Sequence, residues 1–274
     1  RAALVDLSRQ YPEDTFTAHI VLSIAENHYQ VAQANNFKNA QEKQHLLEAL
    51  ALCDKITTEY PATQPAKKAK KLKEAIRQSK VVLNIEEVNQ PNSPIPFTVS
   101  TRNTDTLVLV VKSYGVQAFL NETQSNSNEF SWLTNTGDTL KVWKQPIPNT
   151  EPLLRQTIMP YLEALPKGHY ALFASTNELE ADKQYHAFAR FQVSDIGFVH
   201  RQKRKGDLTV RVYNRQAGEP TKGAVIHFYD NEYNYNTRNY EKRLAATKTT
   251  DKEGIVTLSS KGYAQYTALI INGK

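Results

Sequence analysis

Leu208-Thr209-Val210-Arg211-Val212-Tyr213 alternates side chains from one side of the backbone to the other, with Leu208, Val210 and Val212 apolar on one side. A period of two marks a strand with one face in a core. Downstream, Ala224-Val225-Ile226-His227-Phe228-Tyr229, residues 245–249, Ile255-Val256-Thr257-Leu258 and residues 267–271 read as further strands. Turns are expected between them at Gly218-Glu219-Pro220 and Asp251-Lys252-Glu253-Gly254. Upstream, Val81-Val82-Leu83-Asn84-Ile85, Phe97-Thr98-Val99-Ser100, Leu107-Val108-Leu109-Val110-Val111, Leu140-Lys141-Val142-Trp143, Tyr170-Ala171-Leu172-Phe173-Ala174 and Phe188-Ala189-Arg190-Phe191-Gln192-Val193 are strands of the same kind. Gln90-Pro91-Asn92-Ser93-Pro94, Asn135-Thr136-Gly137-Asp138 and Pro166-Lys167-Gly168 separate some of them as turns, and the polar residues 121–129 read as a long loop. Short strands with no intervening amphipathic helix predict two antiparallel sandwiches, with a boundary near Asp195 and a basic link at residues 200–205.

The first 80 residues have a helical period instead. Ala3, Leu4 and Leu7 form a short stripe ending at Tyr11-Pro12; Phe16, Ala18, Ile20, Val21, Ile24, Ala25, Tyr29 and Ala32 continue at three- and four-residue spacing behind a cap at Asp14 or Thr15. A third stripe runs from Leu46 through Leu50, Cys53 and Ile56 to Tyr60-Pro61, and a fourth, Ala66, Ala69, Leu72 and Ile76, lies on a very basic helix. Ala3-Leu4-Val5-Asp6 leading to Tyr11-Pro12 matches Ala51-Leu52-Cys53-Asp54 leading to Tyr60-Pro61, so two tetratricopeptide-like helical hairpins are expected. The prolines stand 61 − 12 = 49 residues apart, longer than the tetratricopeptide period of about 34. The predicted organisation is helical repeats over residues 1–80 and β-sandwiches over 81–195 and 196–274.

The 274 residues carry 34 Lys+Arg against 28 Asp+Glu, a net charge of +6 that does not demand a nucleic-acid partner. A single cysteine, Cys53, excludes an intrachain disulfide framework and a multi-cysteine zinc site. No run of 18 apolar residues is present. The chain starts at Arg1 and stops just after Ile270-Ile271, so it is expected to be a piece of a longer protein with any targeting segment elsewhere.

The order of segments carries a resemblance. Val193-Ser194-Asp195-Ile196-Gly197-Phe198-Val199, Leu208-Thr209-Val210-Arg211-Val212-Tyr213, Gly218-Glu219-Pro220-Thr221-Lys222-Gly223-Ala224 and Thr250-Asp251-Lys252-Glu253-Gly254 together look like a macroglobulin domain of bacterial, Bacteroides-type alpha-2-macroglobulin-like proteins. Leu165-Pro166-Lys167-Gly168-His169-Tyr170 is similar to the strand entry of the domain before it, and Arg102-Asn103 fits an amino-terminal member of the array. The resemblance implies an amino-terminal, non-catalytic scaffold fragment of an endopeptidase inhibitor whose partners are proteases met by the whole protein. It also implies a cell-envelope location, periplasmic or on the surface of a Gram-negative bacterium, with a membrane anchor through an N-terminal lipid signal outside this chain. A thioester of the family needs Gly-Glu-Gln after its cysteine; Cys53 is followed by Asp54-Lys55-Ile56 and sits on an apolar helix face, which predicts a buried, inert thiol.

Enzyme chemistry finds no constellation. The sequence lacks a phosphate-binding Gly loop, a Gly-x-Ser-x-Gly elbow and a His-Glu-x-x-His pair. His19 and His28 lie nine positions apart, not at the i, i+4 spacing that aims two imidazoles at one metal, so no catalytic, cofactor-binding or metal residue is assigned. His227 is expected on a sheet face, Glu86-Glu87 in solvent, and Lys67, Lys68, Lys70, Lys71 and Lys73 on a solvated helix face. Arg201, Lys203, Arg204 and Lys205 lack interleaved aromatics, and no nucleic-acid partner is expected. One segment stands apart: residues 229–240 concentrate tyrosine and asparagine, the side chains of adaptable binding loops. Tyr233, Tyr235, Arg238 and Tyr240 are therefore the candidate interaction loop, and its alternatives are a cell-surface contact to glycan or another envelope protein and a hairpin packed on a neighbouring domain.

Overall fold

The computed structural model describes residues 6, 15–34, 39–116, 129–148, 151, 153–176, 185–202, 206–236, 238–259 and 266–271. Among them four helices and fifteen strands alternate in a mostly β protein with several antiparallel sheets. Packing divides the chain into two units: Arg1–Val82 with Val99–Leu107 and Lys144–Ile158, and Leu83–Thr98 with Val108–Trp143 and Met159–Lys274.

In the first unit, α1 (Thr15–Gln33), α2 (Asn39–Glu59) and α3 (Gln64–Arg77) pair through their apolar stripes. Ala18, Val21, Leu22 and Ala25 of α1 meet Cys53 and Ile56 of α2 and Ala66 and Ala69 of α3 in one cluster; Ala32, Leu46, Ala49, Leu50 and Ile76 form another. Alanines recur because they let helix backbones approach closely. The expected stripe at Ala3, Leu4 and Leu7 and the cap at Asp14 lie outside the described residues. Helix α2 ends at Glu59 where Pro61 follows, and α3 starts from Thr63, whose side chain accepts the Ala66 N–H. Lys67, Lys68, Lys70 and Lys71 of α3 are exposed, while Lys73 pairs with Asp54.

Asn103 fastens the end of α3. It lies at a φ of 57°, and its Nδ2 donates to the carbonyls of Ile76 and Gln78 at 2.8 and 3.3 Å while its Oδ1 accepts the Leu153 N–H at 3.1 Å. Helix ends leave carbonyls without intrahelical partners. Here a side chain from a distant turn satisfies them.

Strands β1 (Lys80–Ile85), β3 (Ile95–Arg102) and β6 (Gln156–Ile158) run side by side, with β7 (Tyr161–Leu162) also on β3. A second sheet has the order β2 (Val88–Asn89), β9 (Ala187–Val193), β8 (Gly168–Ser175), β4 (Thr106–Tyr114), β5 (Asp138–Pro146). The β4–β8 and β8–β9 pairs are antiparallel, and β2 adds to β9 in parallel. The sequence predicts no helix between these strands, yet α4 (Glu129–Asn135) stands between β4 and β5. It is only seven residues long, too short for a helical period to emerge. Its Leu133 is buried with Val108, Val110, Ala171 and Phe173, and its C-terminal end is held by Lys112, which is itself buried and donates to the carbonyls of Thr134 and Thr136.

Beyond residue 195, β10 (Ile196–Gln202), β11 (Leu208–Asn214) and β14 (Ile255–Leu258) form one antiparallel sheet; β13 (Asn239–Thr249), β12 (Val225–Asn234) and β15 (Tyr266–Ile271) form another. Val210, Val212, Val256 and Leu258 of the first share a core with Ala224, Ile226 and Phe228 of the second stretch. Two differences from the sequence reading stand out. His200, Arg201 and Gln202, expected in a basic link, are strand β10, paired residue by residue with Val210, Thr209 and Leu208. An edge strand tolerates exposed charges, which hid its strand character. The expected long loop of residues 229–240 is chiefly a paired ladder, with Tyr233 opposite Tyr240 and Asn234 opposite Asn239.

Candidate functional site

The tyrosine-rich hairpin is built by the longest of the described strands, β12 and β13. Its inner half is anchored by Ile226 and Phe228 in the core; its outer half carries Glu232, Tyr233, Tyr235 and Arg238 into solvent. Tyr235 is 86% exposed and meets Tyr233 edge to face at 5.1 Å between ring centroids. Arg238 lies in the turn at a φ of 53°. Arg243 pairs with Asp230 and Glu232 at 3.6 and 3.0 Å. The side chain of Tyr240 lies outside the described residues. The structure thus gathers Tyr233, Tyr235 and Arg238 at one hairpin tip. Such a tip can stack on a flat apolar partner and offer phenol and guanidinium donors around it.

A second feature sits at one end of the paired sheets, where three of the resemblance-bearing segments interlock. Val212 N–H donates to Gly254 O at 2.8 Å, and Thr221 N–H to Val212 O at 3.0 Å. Thr250, only 4% exposed, joins them to the next strand: its Oγ1 donates to Thr221 O at 2.6 Å and accepts the Ala224 N–H at 2.9 Å. Asp251 Oδ1 accepts the N–H groups of Glu253 and Ile255 at 3.0 and 2.8 Å, shaping the turn that presents Gly254. These polar residues build turns and contain no reactive group.

A third cluster escapes any reading of local spacing. His28 of α1 faces His45 and Glu48 of α2, with its Nδ1 2.9 Å from His45 Nδ1 and 2.7 Å from Glu48 Oε2. One donor atom from each residue falls within 4.8 Å of the others. His45 and Glu48 are one turn apart on one helix face, but His28 comes from another helix, 17 and 20 residues earlier in the chain. Within-helix histidine spacing carries no trace of that meeting. Gln44 donates to the other oxygen of Glu48 at 3.0 Å and so orients the carboxylate. Two imidazoles and a carboxylate are a donor set able to hold a metal ion.

Other sequence candidates fall where their chemistry is structural. Cys53 is fully buried, and burial, reinforced by the Asp54 carboxylate, pushes its thiol up to about 11. His227 lies on the sheet face and meets Thr247 across the ladder at 2.9 Å. Glu86 and Glu87 are exposed, and Lys203, Arg204 and Lys205 lie outside the described residues. No helix among the described residues is long and apolar enough to cross a membrane.

No family model matches the chain, and no curated protein matches it. Among solved structures it is similar to native alpha-2-macroglobulin from Escherichia coli spanning domains MG0-NIE-MG1, at 12% identity and a TM-score of 0.49, over 71% of this chain and 64% of that one. The chain therefore spans less than two thirds of that structure. It is also similar to the CARDB domain of a Pyrococcus furiosus protein, at 13% identity and a TM-score of 0.25 over 42% of this chain and 92% of that one. A β-glycosidase from Bacteroides vulgatus matches at 11% identity and a TM-score of 0.22, over 71% of this chain and 24% of that one.

Proposed function

We propose that this chain is a non-catalytic scaffold portion of an alpha-2-macroglobulin-like protein of a bacterial cell envelope, in which helical repeats over residues 1–80 lead into macroglobulin-like sandwiches over 81–195 and 196–274. The observation that carries the proposal is the interlocking of the segments at Leu208–Asn214, Gly218 to Ala224 and Thr250 to Gly254 through Val212, Thr221, Thr250 and Gly254. Those segments are the ones that bear the resemblance, and their polar residues are spent on turns that brace a sheet pair. The buried Cys53 suits this role, because its thiol is packed away and any covalent capture of a protease belongs outside these residues. The whole protein would then trap endopeptidases in the envelope. Incubating the full-length protein with several endoproteases tests this. Retention of a protease that still cleaves small peptides but no longer reaches large protein substrates supports the proposal. Free passage of every protease, or unrestricted access of large substrates, refutes it.

The exposure of Tyr235 and its contact with Tyr233 favour a second reading, a surface module that binds glycan or another envelope protein through the hairpin tip. A glycan array and a pull-down from envelope extracts, run on the wild type and on Tyr233→Ala/Tyr235→Ala/Tyr240→Ala, separate the two readings. Binding unchanged by the triple substitution removes the hairpin as the contact.

A further inference from the structure

We propose that His28, His45 and Glu48 form a binding site for one divalent transition-metal ion of the Zn²⁺ type, clamping α1 to α2. His28 Nδ1 is the atom common to both contacts. It lies 2.9 Å from His45 Nδ1 and 2.7 Å from Glu48 Oε2, and one ring nitrogen carries at most one proton. That proton points at one of the two neighbours at a time. A cation placed among the three atoms would accept a lone pair from each at once.

The two distances at His28 fit with little movement. Metal–ligand bonds of about 2.0–2.1 Å set neighbouring donors about 3.0 Å apart in an octahedral arrangement and about 3.3 Å apart in a tetrahedral one. The two contacts of His28 Nδ1 need to open by only a few tenths of an ångström, and the three donor atoms already fall within 4.8 Å of one another. His28 is fixed, at 3% exposure, while Glu48 is 36% exposed and His45 is half-buried, so the two ligands on α2 have room to adjust. Partial exposure also gives the ion a route in and leaves a coordination position for water. The bond from Gln44 to Glu48 Oε1 supports the ligand from behind, as outer hydrogen bonds do at metal sites. Two imidazole nitrogens with one carboxylate select Zn²⁺, Co²⁺ or Ni²⁺ over Ca²⁺ and Mg²⁺, which favour all-oxygen shells.

The test is isothermal titration of metal-stripped chain with ZnCl₂, repeated for His45→Ala, Glu48→Gln, Gln44→Ala and the control His227→Ala. One equivalent should bind to the wild type and to His227→Ala, with no competition from millimolar Ca²⁺ or Mg²⁺. His45→Ala and Glu48→Gln should each weaken binding by about 100-fold, and Gln44→Ala by about tenfold. A readout on the unaltered chain guards against variants that fold poorly: of the seven histidines, only the imidazole NMR signals of His28 and His45 should shift on Zn²⁺ addition. Absence of stoichiometric binding, equal affinity in His45→Ala and Glu48→Gln, or shifts confined to other histidines would each overturn the proposal.

Discussion

Replacing Gly254 by alanine measures how much the interlocked turns contribute to the paired sheets. Gly254 has a φ of +73°, and a Cβ added there would stand 2.3 Å from the Val212 carbonyl oxygen and 3.1 Å from the Thr221 nitrogen. Both neighbours are backbone, and Val212 is tied on its other side by donating its N–H to Gly254 O. Neither can withdraw without breaking a ladder of bonds. Left-handed geometry costs a residue with a Cβ about 1–2 kcal/mol. Forcing an atom into occupied space adds about 1–3 kcal/mol as the backbone shifts. Gly218 supplies the internal reference, since its φ of +71° is nearly the same while nothing lies within 4 Å of an added Cβ. Gly218→Ala therefore isolates the conformational cost. At about 2–4 °C per kcal/mol for a unit of this size, Gly254→Ala should lower Tm by about 10 °C and Gly218→Ala by about 4 °C. Thermal unfolding followed by far-UV circular dichroism, with reversibility checked by reheating, reads both. Equal shifts for the two variants would refute the view that close backbone approach at Gly254 holds these turns together.

Three further outcomes follow from buried partners. Asn103→Ala leaves the Ile76 and Gln78 carbonyls and the Leu153 N–H without the side chain that meets them, and should cost about 2–3 kcal/mol in urea denaturation; an unchanged midpoint would show that water replaces it freely. Lys112→Met removes the donor to Thr134 and Thr136 at the end of α4, and should cost about 2 kcal/mol and shift Trp132 fluorescence to the red, whereas an unshifted spectrum would mean α4 stays seated without it. Cys53 should resist a thiol reagent at about pH 8 in the folded chain and react on unfolding, because burial keeps it protonated. Since its folded value of about 11 exceeds the ordinary 9.0, the unfolded chain loses this proton first, and stability should fall as pH rises through that window; prompt labelling of the folded protein would contradict both statements.

Strands with one or both faces in a core were legible because their residues announce it locally. Leu208 to Tyr213 and Leu107 to Val111 each carry their own evidence, and both fall inside strands of the structure. Stripes such as Ala66, Ala69 and Ile76 likewise declare a helix face. What the sequence concealed had no such periodicity. Strand β10 exposes most of its side chains, so solvent contact replaced alternation; α4 spans too few residues to show a helical period; β2, β6 and β7 are two or three residues long. The tyrosine-rich hairpin was visible by composition, yet its strand pairing was not, because tyrosine and asparagine describe a surface and leave the backbone open to either loop or ladder.

The same distinction separates the turns from the histidine cluster. Gly254 and Asp251 act within a few residues of themselves, so their spacing alone predicts a tight turn, and the structure adds only which backbone they approach. His28 has no local task of that kind. A buried imidazole needs partners, and in α1 the nearest sequence neighbours are apolar or turned to solvent. His45 and Glu48 reach it only once α2 packs alongside, and that packing is driven by Ala18, Val21, Ile56 and their neighbours, which carry no polar chemistry. The hydrophobic stripes thus decide the register of the helix pair, and the register decides that two imidazoles and a carboxylate meet. A substitution in the stripe, such as Ala25→Leu, should therefore disturb metal binding at His28 by moving the helices apart, without touching a ligand. That coupling distinguishes a site assembled by the fold from one carried by a peptide motif.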